Sequence, residues 1–213
     1  MKINNDIVVF DLETTDDEAD RRIIEVGAVL LDRDLNPRGT FSQLVYHGGP
    51  GLLSDYVKEL TGLREGDFSG TKGWGRGEEG RYHGVQGDFL SWVEELVPNV
   101  RRVRLAAWGN YFDVNVLRAE YARSGIPYPW SGTCLDVKTA AALWCALSGR
   151  GTDKLGLQTV ARHMGVEPDG PWHRALADAK VTAAVFKRAV TDLAGGVWLE
   201  ERSGPYRRVE VMG

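Results

Sequence analysis

Residues 7–15 read IVVFDLETT and join a short apolar run to a pair of acidic side chains. The β-branched and aromatic bias of residues 7–10 predicts a buried strand. Because alternate side chains share one face of a strand, we expect Asp11 and Glu13 to point the same way. Two carboxylates held close together repel each other and lose hydration, and a divalent cation with oxygen ligands is the usual reason for such a pair. A solvated acidic turn is the competing interpretation, because residues 16–18 (DDE) follow directly.

The composition is that of a globular protein large enough for one good-sized core, with 213 residues of which 43% are hydrophobic and 26% charged. A net charge of −4 argues against a protein that coats nucleic acid by bulk electrostatics, although an enzyme acting on a short strand stays compatible with it. Two cysteines, Cys134 and Cys145, are too few for a disulfide framework or a zinc site. The sequence shows neither a membrane-length apolar run nor a signal-peptide core in residues 1–5, so we predict a cytoplasmic protein without a membrane partner.

Strand and helix patterns follow one another along the rest of the chain. Apolar runs predict strands at residues 23–31, 40–46, 103–108 and 133–137, with a turn at 36–39. Helical periodicity and capping signals predict helices at 54–60, 85–97, 113–124, 138–147, 155–164 and from just after Pro171 to about 193. Three strands, a helix and then a strand–helix alternation predict an α/β fold with a mixed sheet and helices on its faces. Ligand sites in such sheets lie at strand ends.

Residues 64–84 are rich in glycine and charge, and they predict a long mobile loop. Trp74 and the basic side chains near it would suit this loop to base stacking and phosphate contact, with plain disorder as the alternative. We expect one domain over residues 1–194, with the 64–84 loop as an insertion. Residues 195–213 are expected to form a C-terminal tail.

Two further segments place chemically useful side chains at element boundaries. Asp113 begins a helix after the turn 109–112, where a simple capping role is the alternative interpretation. His173 and Asp178 are five residues apart, which on one helix would separate them by roughly 140°. They therefore converge only if His173 precedes the helix, and Pro171 favours such a boundary.

Taken in order, these segments resemble the three motifs of the DnaQ-like, DEDDh-type 3′–5′ exonucleases. The matching motifs are Asp11-x-Glu13-Thr14-Thr15, the Gly-Asn-Tyr-Phe-Asp run that ends at Asp113, and His173-x4-Asp178. The likeness extends from Ile7 to about Val190. It implies an RNase H-like fold, in which a mixed five-stranded sheet carries helices on both faces.

The resemblance implies a phosphodiesterase that uses two Mg²⁺ or Mn²⁺ ions, which activate a water and stabilise charge on the attacking and leaving oxygens. In that scheme Asp11, Glu13 and Asp178 hold the ion that carries the nucleophilic water. Asp11 bridges to the second ion, and Asp113 completes the site, partly through water. His173 is the general base, because the intrinsic pKa of an imidazole suits that task.

The resemblance also suggests substrate contacts. Thr14 and Leu12 would lie against the terminal nucleotide, and Trp172 would either stack on a base or pack in the core. Core packing is the favoured role for Trp108. The family's second motif often has one more residue between its Asn and its Asp, so no role is assigned to Asn110.

The expected substrate is the 3′ end of single-stranded nucleic acid, with DNA favoured over RNA, and the expected product is a nucleoside monophosphate. A role in DNA repair or replication would follow. Two alternatives stay open: an exoribonuclease similar to RNase T or oligoribonuclease, and a non-catalytic module associated with a polymerase. The retained acidic positions and His173 argue against the second. A homodimer or a polymerase partner is compatible with the resemblance.

Overall fold

The computed structural model describes residues 3–16, 20–48, 51, 53–75, 82–130 and 132–195. Its centre is a five-stranded sheet with the strand order β3-β2-β1-β4-β5. The strands are β1 (Ile7–Thr14), β2 (Ile23–Leu31), β3 (Pro37–Leu44), β4 (Arg104–Ala107) and β5 (Cys134–Asp136). Strand β2 pairs antiparallel with β1 and β3, whereas β4 runs parallel to β1 and β5. The predicted mixed sheet is therefore confirmed.

Six α-helices are described: α1 (Asp55–Thr61), α2 (Gly84–Leu96), α3 (Tyr111–Arg123), α4 (Val137–Leu147), α5 (Leu157–Met164) and α6 (Ala175–Gly195). Short 3₁₀ helices occur at Glu65–Phe68 and Val100–Arg102. The predicted cap of α1 is present, since the Ser54 side chain accepts a hydrogen bond from the amide of Val57 at 3.2 Å. Within the described segments, no helix is both long enough and apolar enough to span a membrane.

Strand β1 divides the core into two halves because its side chains alternate between the faces of the sheet. Val8, Phe10 and Leu12 belong to a buried cluster with α2 and α3. Ile7 and Val9 belong to a second cluster formed with α4, α5 and α6. Asp11 and Glu13 continue the Ile7–Val9 register. The fold therefore directs both carboxylates toward the layer that contains α6.

Helix α6 approaches β2 so closely that only glycine fits between them. A Cβ atom at position 27 would lie 2.1 Å from the carbonyl carbon of Ala175 and 2.1 Å from the amide nitrogen of Leu176. Gly27 pairs with Asp11 across the β1–β2 ladder. This contact brings the first turn of α6 beside the acidic end of β1.

Strand β3 begins earlier than predicted, because the turn lies before Pro37 and not at residues 36–39. The Asp32 carboxylate accepts hydrogen bonds from the amides of Asp34 and Asn36 at 2.9 and 2.8 Å, and Leu35 has a φ of 61°. Pro37 is tolerated in β3 because β3 is an edge strand, where a missing N–H need not break the ladder.

The structure also corrects the prediction for the first half of residues 64–84. Phe68, at the end of the 3₁₀ helix, packs with Ile24 and Val57 in a small cluster. Trp74 is only 3% exposed, and its ring meets the Tyr121 ring edge-on at 5.6 Å. Trp74 is thus a core residue, unavailable for base stacking. Residues 76–81 and 196–213, which include nearly all of the predicted tail, lie outside the described residues.

Candidate active site

The site begins with the two carboxylates of β1. Asp11 is partly exposed and Glu13 is buried. Facing them, Asp178 lies in the first turn of α6 and is also buried. The period-2 alternation of β1 and the close packing of α6 on Gly27 together bring these three acids to one place.

Asp113 reaches the site from α3. It is buried, and its Oδ1 accepts a hydrogen bond from the backbone amide of Leu12 at 3.2 Å. This bond places the Asp113 carboxylate beside Leu12, the β1 residue that lies between Asp11 and Glu13. Asn110, which had no predicted role, donates from Nδ2 to the carbonyl oxygen of Cys134 at 2.8 Å and so ties the start of α3 to β5.

His173 precedes α6, as its spacing from Asp178 requires. It has a φ of 60°, a left-handed conformation that a non-glycine residue adopts only when its surroundings enforce it. Its amide donates to Asp178 Oδ2 at 3.2 Å. Ligand atoms of Glu13, His173 and Asp178 all lie within 4.8 Å of one another, which is close enough to share one cation.

Burial and mutual repulsion keep these carboxylates difficult to ionise. Burial, followed by the charges of Asp113 and Glu13, raises the pKa of Asp11 well above its usual value. Burial first, and then neighbouring carboxylates, raise the pKa of Glu13 to about 8. Burial raises the pKa of Asp113 to about 7 and raises that of Asp178 as well. A bound cation would remove this electrostatic penalty.

The donor set fits a hard divalent cation. Carboxylate oxygens are the ligands that Mg²⁺ and Mn²⁺ prefer. Asp178 Oδ1 is buried and lacks a hydrogen-bond partner among the described residues, which is a costly arrangement unless a ligand completes it. The residues present therefore match the metal site that the sequence resemblance implied.

A cleft of about 340 Å³ opens beside Glu13, and Leu12 and Thr14 are among its lining residues. Two exposed aromatic side chains also line it: Tyr56 is 64% and Phe112 is 42% exposed. The guanidinium carbon of Arg21 lies 4.9 Å from the centre of the Phe112 ring. Sequence reasoning missed these three residues, since local patterns do not show which side chains from separate segments face a common cleft.

Trp172 and Trp108 occupy other positions. Both are partly buried and pack against the core cluster of α4, α5 and α6. Among the described residues that line the cleft, Trp172 is absent. The structure thus favours the core-packing alternative for Trp172.

Sequence reasoning also missed Glu25, a buried carboxylate near the start of β2. It stands opposite Glu13 in the ladder and forms an ion pair with Arg174 at 2.9 Å. One signal could have revealed it, because Glu25 is the only charged side chain in the otherwise apolar run 23–31.

Comparisons with known proteins agree with this geometry. A family model described as an exonuclease, RNase_T, matches residues 8–72, a range that includes Asp11 and Glu13. A search of curated proteins gives no match.

Three solved structures illustrate the similarity of the fold. The nuclease domain of 3′hExo, a DEDDh family member bound to rAMP, has a TM-score of 0.69 and 21% identity, covering 88% of this chain and 92% of that one. Cell-death related nuclease 4 (CRN-4) has a TM-score of 0.69 and 15% identity, covering 88% of this chain and 64% of that one. The E. coli ExoI–ssDNA complex has a TM-score of 0.69 and 20% identity, covering 90% of this chain and 42% of that one.

These comparisons agree with the fold that the sequence motifs suggested. The matched family segment runs from β1 through the 3₁₀ helix Glu65–Phe68, and the structural similarity extends over most of the chain. The chain thus has the RNase H-like fold of these solved nucleases, and a family model described as an exonuclease matches the part that carries the first acidic motif.

Proposed function

We propose that the chain is a metal-dependent 3′–5′ exonuclease that releases nucleoside monophosphates from the 3′ ends of single-stranded nucleic acid. The observation that carries this proposal is the convergence of four carboxylates and His173, from β1, α3 and the start of α6, beside an open cleft. Support also comes from the exonuclease family match and from neighbours whose structures contain single-stranded DNA or rAMP.

The acidic residues have the first role in this mechanism. Asp11, Glu13, Asp113 and Asp178 would hold two Mg²⁺ or Mn²⁺ ions, which supply an acidified water and neutralise developing charge when bound. Asp113 keeps its orientation through the Leu12 amide, and Asp178 keeps its own through the amide of His173. Buried carboxylates fixed in this way need little rearrangement during the reaction.

His173 has the second role, that of general base. His173 lies just before α6, and its ligand atom is within 4.8 Å of ligand atoms of Glu13 and Asp178. This position suits it to accept the proton of the attacking water. The constrained backbone at His173 limits the directions available to the ring.

The cleft provides the strand contacts. Leu12 and Thr14 would lie against the terminal nucleotide, next to the carboxylates. The exposed rings of Phe112 and Tyr56 offer faces for bases, and stacking of this kind tolerates any sequence. Arg21, stacked over Phe112, adds a positive charge close to where a phosphate of the strand would pass.

We propose DNA as the preferred substrate, on the similarity to the ExoI–ssDNA complex. An exoribonuclease is the second candidate, favoured by the similarity to 3′hExo bound to rAMP and to the 3′-exonuclease that recognises a histone mRNA stem-loop. A non-catalytic module is disfavoured, because such a module has no need to keep four carboxylates and a histidine together. A homodimer or a polymerase partner stays a prediction of the resemblance.

The test is degradation of 5′-labelled single-stranded DNA and RNA with Mg²⁺ or Mn²⁺, and with EDTA. We expect stepwise shortening from the 3′ end with release of mononucleotides, faster on DNA, and loss of activity in EDTA and in Asp11→Ala. His173→Ala is expected to lower kcat by about 10²–10⁴-fold.

The matched control is Asp34→Ala, which removes an exposed acid from the turn after β2, at the opposite end of the sheet from the site. Its activity should equal that of the wild type. Full activity in Asp11→Ala or Asp178→Ala would disprove the site assignment. Faster degradation of RNA would replace the first candidate by the second.

A further inference from the structure

Glu25 is a carboxylate inside the most deeply buried strand of the sheet, and it is only 2% exposed. It pairs with Glu13 across the β1–β2 ladder. A buried charge is costly unless charge-assisted hydrogen bonds compensate it, so the partners of Glu25 show what the protein gains from it.

Those partners lie at the start of α6. Arg174 donates from Nε to Glu25 Oε2 at 3.0 Å and from a terminal nitrogen to Oε1 at 2.9 Å. This is the bidentate geometry that fixes a guanidinium in direction as well as position. The amide of Ala175, the first residue of α6, also donates to Oε2 at 3.2 Å. Glu25 therefore caps α6 from a neighbouring strand and satisfies one of its free N–H groups.

A second contact lies two residues further along the same face of β2. There the backbone of Ala175 rests on Gly27, without space for a side chain. Glu25 and Gly27 thus hold the first turn of α6 by a directional hydrogen-bonded pair and by a steric stop. The pair sets the rotation of the turn, and the glycine sets its distance from the sheet.

The residues so held connect directly to the site. Arg174 follows His173 in sequence, and its carbonyl oxygen accepts a hydrogen bond from the amide of Asp178 at 3.0 Å. The amide of His173 in turn donates to Asp178 Oδ2. A change in the direction of Arg174 would therefore move both His173 and Asp178 relative to Glu13.

We propose that Glu25 and Arg174 form a positioning pair that holds His173 and Asp178 in register with the carboxylates of β1. The pair acts through the start of α6. The consequence for catalysis rests on the proposed exonuclease function, whereas the consequence for metal binding can be measured without it. Supporting partners of metal ligands commonly contribute 10–100-fold to affinity or activity.

Glu120 provides a matched comparison for a purely structural role. It is 1% exposed and accepts hydrogen bonds from Arg22 Nε at 2.8 Å and from the amide of Ile23 at 3.4 Å. It also forms an ion pair with Arg123 at 2.7 Å. Its partners within the described residues lie outside α6, so its removal should weaken the fold while leaving the position of His173 unchanged.

The experiment compares Glu25→Gln, Arg174→Lys and the control Glu120→Gln in the full chain. Mn²⁺ affinity is measured by calorimetry, Tm by thermal unfolding, and Mn²⁺-induced broadening of the His173 imidazole signals by NMR. We expect Glu25→Gln to bind Mn²⁺ about 10–100-fold more weakly, with less broadening of His173 at equal occupancy. Arg174→Lys keeps the positive charge, so it should lose less Mn²⁺ affinity than Glu25→Gln. Glu120→Gln should lower Tm but keep wild-type affinity and broadening.

Wild-type Mn²⁺ affinity and broadening in folded Glu25→Gln would overturn the proposal, as would an equal loss of affinity in Glu120→Gln. If Glu25→Gln does not fold, Arg174→Lys decides alone, and an affinity equal to that of Glu120→Gln overturns the proposal. Nuclease assays on the same samples separate the two ideas. An inactive wild type with the expected Mn²⁺ pattern disproves the exonuclease function and supports the positioning pair.

Discussion

Two sets of buried acidic side chains differ in how the protein treats their charge. Glu25 and Glu120 are each met by arginine guanidinium groups at 2.7–3.0 Å. The four carboxylates of the candidate site mainly face one another, and within the described residues no ion pair reaches them. The protein supplies its own cations where an acid joins two elements together. At the candidate site, where no such pair occurs among the described residues, a bound cation has to supply the compensating charge.

The contrast extends to hydrogen bonding. Glu25 uses both of its oxygens on Arg174 and Ala175, whereas Asp178 Oδ1 stays buried without a partner among the described residues. Removing Glu25 or Glu120 should therefore lower the stability of the fold. Removing a carboxylate of the candidate site should raise it.

The largest effect is expected for Glu120→Ala, which removes the buried carboxylate that pairs with both Arg22 and Arg123. We expect a loss of about 3 kcal/mol in the free energy of unfolding, because breaking a buried pair costs this much. That loss corresponds to a fall of about 6–12 °C in Tm for a chain of this size. Calorimetry measures it, with Asp34→Ala as a surface control that should stay within about 0.5 kcal/mol of the wild type. A Glu120→Ala stability within that control range would contradict the difference between the two sets of acids.

The second effect concerns pH and metal. The pKa of Glu13 is about 8 in the folded protein, above its ordinary value, so folding binds protons and the metal-free protein loses stability as pH rises toward 8. Mn²⁺ at one fixed concentration, about 100 times its Kd at pH 8, should restore roughly 2.7 kcal/mol at that pH, or about 5–10 °C in Tm. Thermal scans with and without Mn²⁺ from pH 5.5 to 8.5 check this. The gain should be larger at high pH, and a gain that shrinks with rising pH would contradict the expectation.

The smallest effect is expected for Asp11→Asn, which removes one of the repelling charges without changing the size of the side chain. The pKa of Asp11 is raised by burial and by its acidic neighbours, so neutralising it should stabilise the metal-free protein at pH 8 and raise its Tm by less than Mn²⁺ binding does. The same variant should lose most of the stabilisation by Mn²⁺. A lower metal-free Tm would place Asp11 with the structural acids.

Local patterns in the sequence predicted much of the framework. The alternation in residues 7–15 placed Asp11 and Glu13 on one face, and the spacing from Asp178 placed His173 before its helix. Both follow from the periods of a strand and a helix, which are fixed by backbone geometry. The cap at Ser54 was equally predictable, since it depends on a residue three positions away.

The remaining features depend on residues that are distant in sequence. Glu25 meets Arg174 across 149 positions, so periodicity cannot show that they form a pair. Trp74 was mistaken for a surface residue because its polar and glycine-rich neighbours conceal its burial against Tyr121. The exposure of Phe112 depends on the orientation of α3 on the sheet, which local sequence does not determine.

Gly27 has a further consequence for how the protein can vary. The spacing between β2 and α6 is set there by backbone touching backbone, and not by the size of any side chain. Core residues around the contact can exchange for others of similar volume without widening the gap between the acids of β1 and Asp178. Any side chain at position 27 would separate the two elements. The surrounding core therefore tolerates substitutions of similar volume, whereas position 27 accepts only glycine.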